Sequence, residues 1–235
     1  MKKYIIIAVI VVVYVLFGVL INSMDSSTYL IINPSVRWQY RSNKWLNMDL
    51  SKRSLGKFNI YGEDGTYKFK TDNNEIYNGK DLLSKTAIAY KGKISIIDYD
   101  VNYNVTDTEI NEVLSKSNIK KSGYNNASKI NLDIDNDGKV ESIYSINNVF
   151  EIGGLGGNYY SIIVVKDENT YKLISKKTSN EPFTNPYNIS LIVDFKNDGI
   201  YEIIVDSNGI SRDSNNLYTM YGLEKGNYVE LVKNK

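Results

Sequence analysis

The longest apolar run in the chain comes at its start. Eighteen residues from Tyr4 to Ile21 carry no charged or amide side chain, and Gly18 is the weakest position among them. At about 1.5 Å per residue a helix of this length reaches about 27 Å, close to the hydrocarbon thickness of a bilayer. Lys2 and Lys3 precede the run, and no Lys or Arg follows it until Arg37. The positive-inside rule therefore places the N-terminus in the cytoplasm and residues 24–235 outside. A cleaved signal peptide begins in the same way, but its apolar core is about 7–15 residues and ends at a small-x-small site. Ile21-Asn22-Ser23 is a poor site of that kind, so the pattern predicts an uncleaved transmembrane helix.

Beyond a polar juxtamembrane linker (24–36) that contains Pro34, the period changes to two. Arg37-Trp38-Gln39-Tyr40-Arg41 and Lys44-Trp45 read as a strand or hairpin. Residues 37–57 hold six basic residues and one acid, Asp49, a cationic face suited to anionic headgroups or an anionic wall polymer. Asp64-Gly65 separates Phe58–Tyr61 from Tyr67–Phe69, and Lys91-Gly92 separates Ala87–Tyr90 from Ile94–Ile97. Both predict hairpins. A single helix over about 107–118 is predicted from the capping box Thr106-Asp-Thr-Glu109, followed by Ile110, Val113 and Leu114 at helical spacing.

The last part of the chain repeats itself. Ile130–Tyr144 aligns with Leu191–Val205, so that Asp133, Asp137, Gly138 and Glu141 fall on Asp194, Asp198, Gly199 and Glu202. Asp167–Ile174 similarly resembles Glu224–Val232, a strand, a turn and a second strand entered by a Tyr. The predicted organisation is a cytoplasmic start and anchor (1–23), the linker (24–36), a β-rich region with one helix (37–129), and two β repeats (130–188 and 189–235).

Composition narrows the chemistry. Among 235 residues there is no Cys and no His, which removes disulfides, thiol nucleophiles, His-ligated metals and the commonest general base at neutral pH. A net charge of +1 gives no drive toward nucleic acid. What remains is carboxylate, Lys or Tyr chemistry, or a hard cation held by oxygens. Gly153–Gly157 precedes a strand rather than a helix, which argues against a phosphate loop. Tyr159, Tyr160, Tyr187, Tyr218 and Tyr221 are candidates for a carbohydrate-stacking platform, though Tyr is equally a good strand residue.

The strongest chemical signal is the segment Asp133-Ile-Asp135-Asn-Asp137-Gly138-Lys139-Val-Glu141, with carboxylates at positions 1, 3, 5 and 9 and Gly at 6. Alternate acids on a tight loop can converge on one Ca²⁺, and the carbonyl of Lys139 at position 7 can add an oxygen. An EF-hand would place a Glu at position 12 between two helices; here that position is Tyr144 and the flanks are β-patterned. Residues 130–235 resemble the FG-GAP/VCBS-type calcium-loop repeats of integrin-like β-propellers. The resemblance implies Asp133, Asp135, Asp137 and Glu141 as side-chain ligands, with Lys139 contributing its main chain. In the second copy it implies Asp194, Asp198, Glu202 and the main chain of Ile200. There Lys196 replaces the acid of position 3, so that site is expected to be weak or empty.

The fold expected is mainly β, a partial propeller-like or sheet assembly of repeated strand units carrying one short helix and an N-terminal transmembrane helix. The function expected is that of a single-pass, extracytoplasmic, calcium-binding interaction module of the cell envelope, without catalysis. It would be attached to the membrane through residues 4–21 and would meet an anionic wall polymer, glycan or protein rather than nucleic acid. Two other classes fit the same residues: a carboxylate-dependent hydrolase of envelope polysaccharide, and a structural subunit of an envelope complex.

Overall fold

Period-two alternation governs almost everything past Ser27, and the described residues accordingly form three antiparallel sheets and one helix, none of the sheets closed. In this computed structural model the described residues are 27–32, 36–48, 54–72, 75–84, 87–119, 123–150, 159–182, 187–206 and 218–233. The apolar run 4–21 and the glycine run 153–157 lie outside them. Among the described residues no helix is long and apolar enough to cross a membrane.

An N-terminal sheet of eight strands contains β1 (Thr28–Ile32), β2 (Val36–Arg41), β3 (Lys44–Asn47), β4 (Ser54–Ile60), β5 (Thr66–Asp72), β6 (Glu75–Asn78), β7 (Asp81–Leu82) and β8 (Ile88–Lys91), in the order β3-β2-β1-β8-β4-β5-β6-β7. The expected β2–β3 hairpin forms, turning on Ser42 and Asn43, both at positive φ (51° and 59°), as a twist-matched two-residue turn demands. The Asp64-Gly65 hairpin forms as β4–β5. The Lys91-Gly92 hairpin does not. β8 stays in the N-terminal sheet beside β1 and β4, whereas β9 (Ser95–Ile97) crosses to another sheet and pairs there with the strand at Asn188–Asp194. Gly92 makes that departure possible. Its φ is +104°, and a Cβ there would lie 2.8 Å from Thr28 Oγ1, so the chain leaves the sheet too close to β1 for any side chain.

Helix α1 (Asp107–Lys116) starts at the expected capping box, with Thr106 Oγ1 accepting from the Glu109 N–H and Glu109 Oε2 from the Thr106 N–H. Its apolar stripe of Ile110, Val113 and Leu114 is buried against Ala127, Tyr144, Ile146, Ile162 and Val164. These belong to a four-stranded meander of β10 (Asn126–Leu132), β11 (Glu141–Phe150), β12 (Tyr159–Asp167) and β13 (Thr170–Ser179). A second meander of β14 (Asn188–Asp194), β15 (Glu202–Asp206), β16 (Tyr218–Glu224) and β17 (Asn227–Lys233) follows, extended to five strands by β9 on the edge of β14.

This second meander is buried on both faces. Ile192, Ile203 and Val205 meet Ile143, Ile163 and Val165 of the first meander. Alternate residues Leu191, Val193, Ile204 and Met220 meet Leu30, Ile32, Val36 and Trp38 of the N-terminal sheet. Strands buried on both sides read as continuous apolar runs, as Ile203-Ile204-Val205 does here. The layers are thus α1, first meander, second meander, N-terminal sheet. The outer face of the N-terminal sheet has its own cluster, in which Phe58 stacks on Phe69 with centroids 5.1 Å apart. The expected cationic aromatic face is reorganised by this layering. Trp38 is fully buried and Trp45 packs edge-on against Phe195 at 4.0 Å, leaving Arg41 and Lys44 as exposed cations.

Candidate metal centre

Both acidic loops are hairpin connections, and the ladder positions their first and last acids. Leu132 pairs with Glu141, and Val193 with Glu202. Asp133 and Glu141 therefore stand at the two sides of the first loop's mouth, as do Asp194 and Glu202 at the second. The loops share one backbone course. Asn136 and Gly138 adopt φ of 58° and 87°; Asn197 and Gly199 adopt 56° and 83°.

The hydrogen bonds coincide as well. In the first loop, the Asp137 and Gly138 N–H groups donate to the two oxygens of Asp133 at 3.1 and 3.0 Å, and the Ile134 N–H donates to Glu141 Oε2 at 2.8 Å. In the second, Asp198 and Gly199 donate to Asp194 at 3.1 and 3.0 Å, and Phe195 to Glu202 Oε2 at 3.0 Å. Asp137 and Asp198 each turn a carboxylate oxygen onto the N–H two residues ahead, Lys139 at 2.8 Å and Ile200 at 3.1 Å. The shape is thus held by the first and last acids and the turn residues, and position 3 is free to differ.

Position 3 decides the electrostatics. In the first loop Asp135 joins Asp133 and Glu141, with carboxylate oxygens of all three within 4.8 Å of one another. Oxygens bound to a single Ca²⁺ at about 2.4 Å can be at most about twice that far apart, so the three fit one ion. Asp135 Oδ1 is buried without a hydrogen-bond donor, an expensive state for a carboxylate oxygen unless a cation meets it. Burial raises the Glu141 carboxyl above the usual range, with Asp135, Asp167 and Asp133 adding to the rise and the Ile134 N–H opposing it. Asp137 stands at the exposed side of the loop, and the Lys139 ammonium pairs with Glu168 at 2.8 Å.

In the second loop Lys196 holds position 3 and its ammonium stands 3.7 Å from Glu202 Oε1. A built-in cation occupies the neighbourhood of the acids, so this loop does not fit an added divalent ion. Even so, Glu202 is pushed up to about 7, chiefly by burial, with the Phe195 N–H and Lys196 pulling the other way.

Several neighbours were invisible in the linear pattern. Asp167, at the β12–β13 turn, adds its negative charge to the first loop's field. Tyr228, brought over from β17, is raised by burial and by the charges of Glu141 and Asp135. The loops also touch each other: the Tyr201 N–H donates to the Ile134 carbonyl at 2.9 Å, and the Asn136 amide lies against Gly199, where a Cβ would be 2.7 Å away. The sequence signal for that contact was the second glycine itself. The tyrosine platform does not assemble as a surface. Tyr187, Tyr218 and Tyr221 are buried, and the hydroxyls of Tyr187 and Tyr221 both meet Ser175 in the layer between the meanders.

Compared with known protein families, characterised proteins and solved structures, the chain matches none. The assignment of function therefore rests on the sequence pattern and the geometry together.

Proposed function

We propose that this protein is a calcium-binding interaction module of the cell envelope, attached to the membrane by residues 4–21, with its stacked sheets outside the cell. One observation carries the calcium reading. Two loops of the same shape differ at position 3, where one has its own ammonium and the other has an additional carboxylate with a buried, unpartnered oxygen. The first loop is a cation short, and a hard divalent ion held by Asp133, Asp135 and Glu141 supplies it. The same reading includes Asp137 and the Lys139 carbonyl as further oxygens. The ion's part is charge and cross-linking: it ties the end of β10 to the start of β11 at a point where the second loop also rests.

An ion that binds only the folded chain adds RT ln(1 + [L]/Kd) to stability. Extracellular calcium modules have Kd of about 10⁻⁴–10⁻³ M, so 2 mM calcium contributes about 1 kcal/mol. Melting curves in calcium and in chelator are expected to separate by about 2–4 °C, and Asp135→Ala to abolish the separation. Coincident curves for the parent chain would refute the assignment.

A further inference from the structure

We infer that the end of the N-terminal sheet at which β1 begins rests on the anionic lipid headgroups of the bilayer that holds residues 4–21. The inference rests on the anchored reading of that apolar run, and adds which surface of the folded chain faces the membrane.

Chain length sets the first limit. Residues 22–27 are all that separate Ile21, the end of the apolar run, from Thr28, the start of β1. Fully extended, that stretch reaches at most about 25 Å. The start of β1 is thus tethered close to the headgroups.

Strand register brings cations to the same end. Thr28 pairs with Tyr40, and one residue further out Arg41 pairs with Lys44. On the other side of β1, Tyr29 pairs with Lys91 and Tyr90 with Asn59, which puts Gly92 and Lys57 level with Thr28 and Lys93 just past it. Lys57 in turn pairs with Lys68, and Ser54 with Lys70. Four strands and the β8–β9 crossing therefore deliver Arg41, Lys44, Lys57, Lys68, Lys70 and Lys93 to one end of one sheet. All are exposed, and none has an ion-pair partner among the described residues. Lys57 and Lys68 stand directly opposite each other, an arrangement that costs stability in a free sheet and that an anionic surface relieves.

The acids are placed elsewhere or at the margin. Asp72, Glu75 and Asp81 lie on β5–β7, at the edge of the sheet farthest from β2 and β3. At the opposite end the β4–β5 turn exposes Glu63 and Asp64. The second acidic loop borders the start of β1 through Lys196, which is paired with Glu202. The first loop lies beyond the second, on the side away from the N-terminal sheet.

An anionic leaflet attracts each Lys or Arg within about a Debye length, roughly 10 Å at 0.1 M salt. Because the sheet is tethered, contact is intramolecular and a weak attraction per side chain suffices. A soluble anionic polymer would account for the charge but not for its coincidence with the tethered end.

The test uses the full chain in nanodiscs, with chelator present, and reads lysine acetylation by an uncharged reagent in mass spectra. Between phosphatidylcholine discs and discs with one-third phosphatidylglycerol, Lys57, Lys68 and Lys93 are expected to react at least threefold more slowly in the latter, and to recover in 0.5 M NaCl. Lys116, on helix α1 in the layer farthest from this sheet, should react equally in both. Replacing Lys57 and Lys68 together by Gln should at least halve the protection of Lys93 while the chain still melts cooperatively. Co-elution with the phosphatidylcholine discs in 1 M NaCl reports the anchor separately: a chain that elutes free of them overturns the anchor and this inference with it. A chain that stays with the discs but shows equal acetylation in both lipids, or protects Lys116 as strongly as Lys57, overturns the docking alone. Loss of the protection to added poly(glycerol phosphate) at constant ionic strength would assign the surface to a polymer and overturn it as well.

Discussion

Glu202 should give this protein a pH-dependent stability that a single amide substitution removes. Its side chain is 3% exposed, and burial lifts its carboxyl from the ordinary 4.5 to about 7. The folded chain therefore holds this proton more tightly than the unfolded chain does. The resulting stability is fully present below about pH 4.5, falls as pH rises from there through 7, and levels off above. With about 1.4 kcal/mol per pH unit, the loss across that window is about 3 kcal/mol. Glu202→Gln keeps a carbonyl oxygen for the Phe195 N–H, which Glu202 now accepts at 3.0 Å, and removes the charge. The Lys196 partner lost in the variant is half in water and contributes little. Urea unfolding in chelator should then find parent and variant similar at pH 4.5, and the variant more stable by about 3 kcal/mol at pH 8. Other titrating groups cancel in the difference. Parallel pH profiles for the two chains would refute the argument that burial governs this carboxyl.

Lys196→Asp should complete the second loop with an acid at position 3 and enlarge the calcium-dependent separation of melting curves beyond that of the parent; an unchanged separation would show that loop shape, not the ammonium, keeps the ion out. Thr106→Ala removes the hydroxyl that accepts from Glu109 at 3.2 Å and should cost about 1 kcal/mol in urea unfolding, with no effect on calcium response. Protease added to intact cells should digest the sheets and leave residues before 24 protected; a full-length chain that fractionates as soluble, or one cut near Ser23, would remove the anchor.

Where physics is local, the sequence alone sufficed. The helix was legible because its capping box, apolar stripe and stop all lie within about a dozen residues, and it forms over Asp107–Lys116 with both capping hydrogen bonds. The acidic loops were legible for the same reason: Asp133, Gly138 and Glu141 act on one another across a single turn. The β2–β3 and β4–β5 hairpins follow from turn residues between alternating runs.

What depends on partners distant in the chain was decided by the tertiary structure. Lys91-Gly92 has the chemistry of a hairpin turn, yet β9 pairs with β14 across about a hundred intervening residues because that edge offers both hydrogen bonds and an apolar face for Ile96 and Ile97. Trp38 reads as a surface aromatic between two arginines until the second meander covers it. Lys196 reads as a lost ligand, whereas in the folded chain its ammonium sits between a buried glutamate and an open cleft. Alternation determines that a strand has two faces; which face meets another sheet, and which charges are thereby taken from water, is settled only when the layers stack.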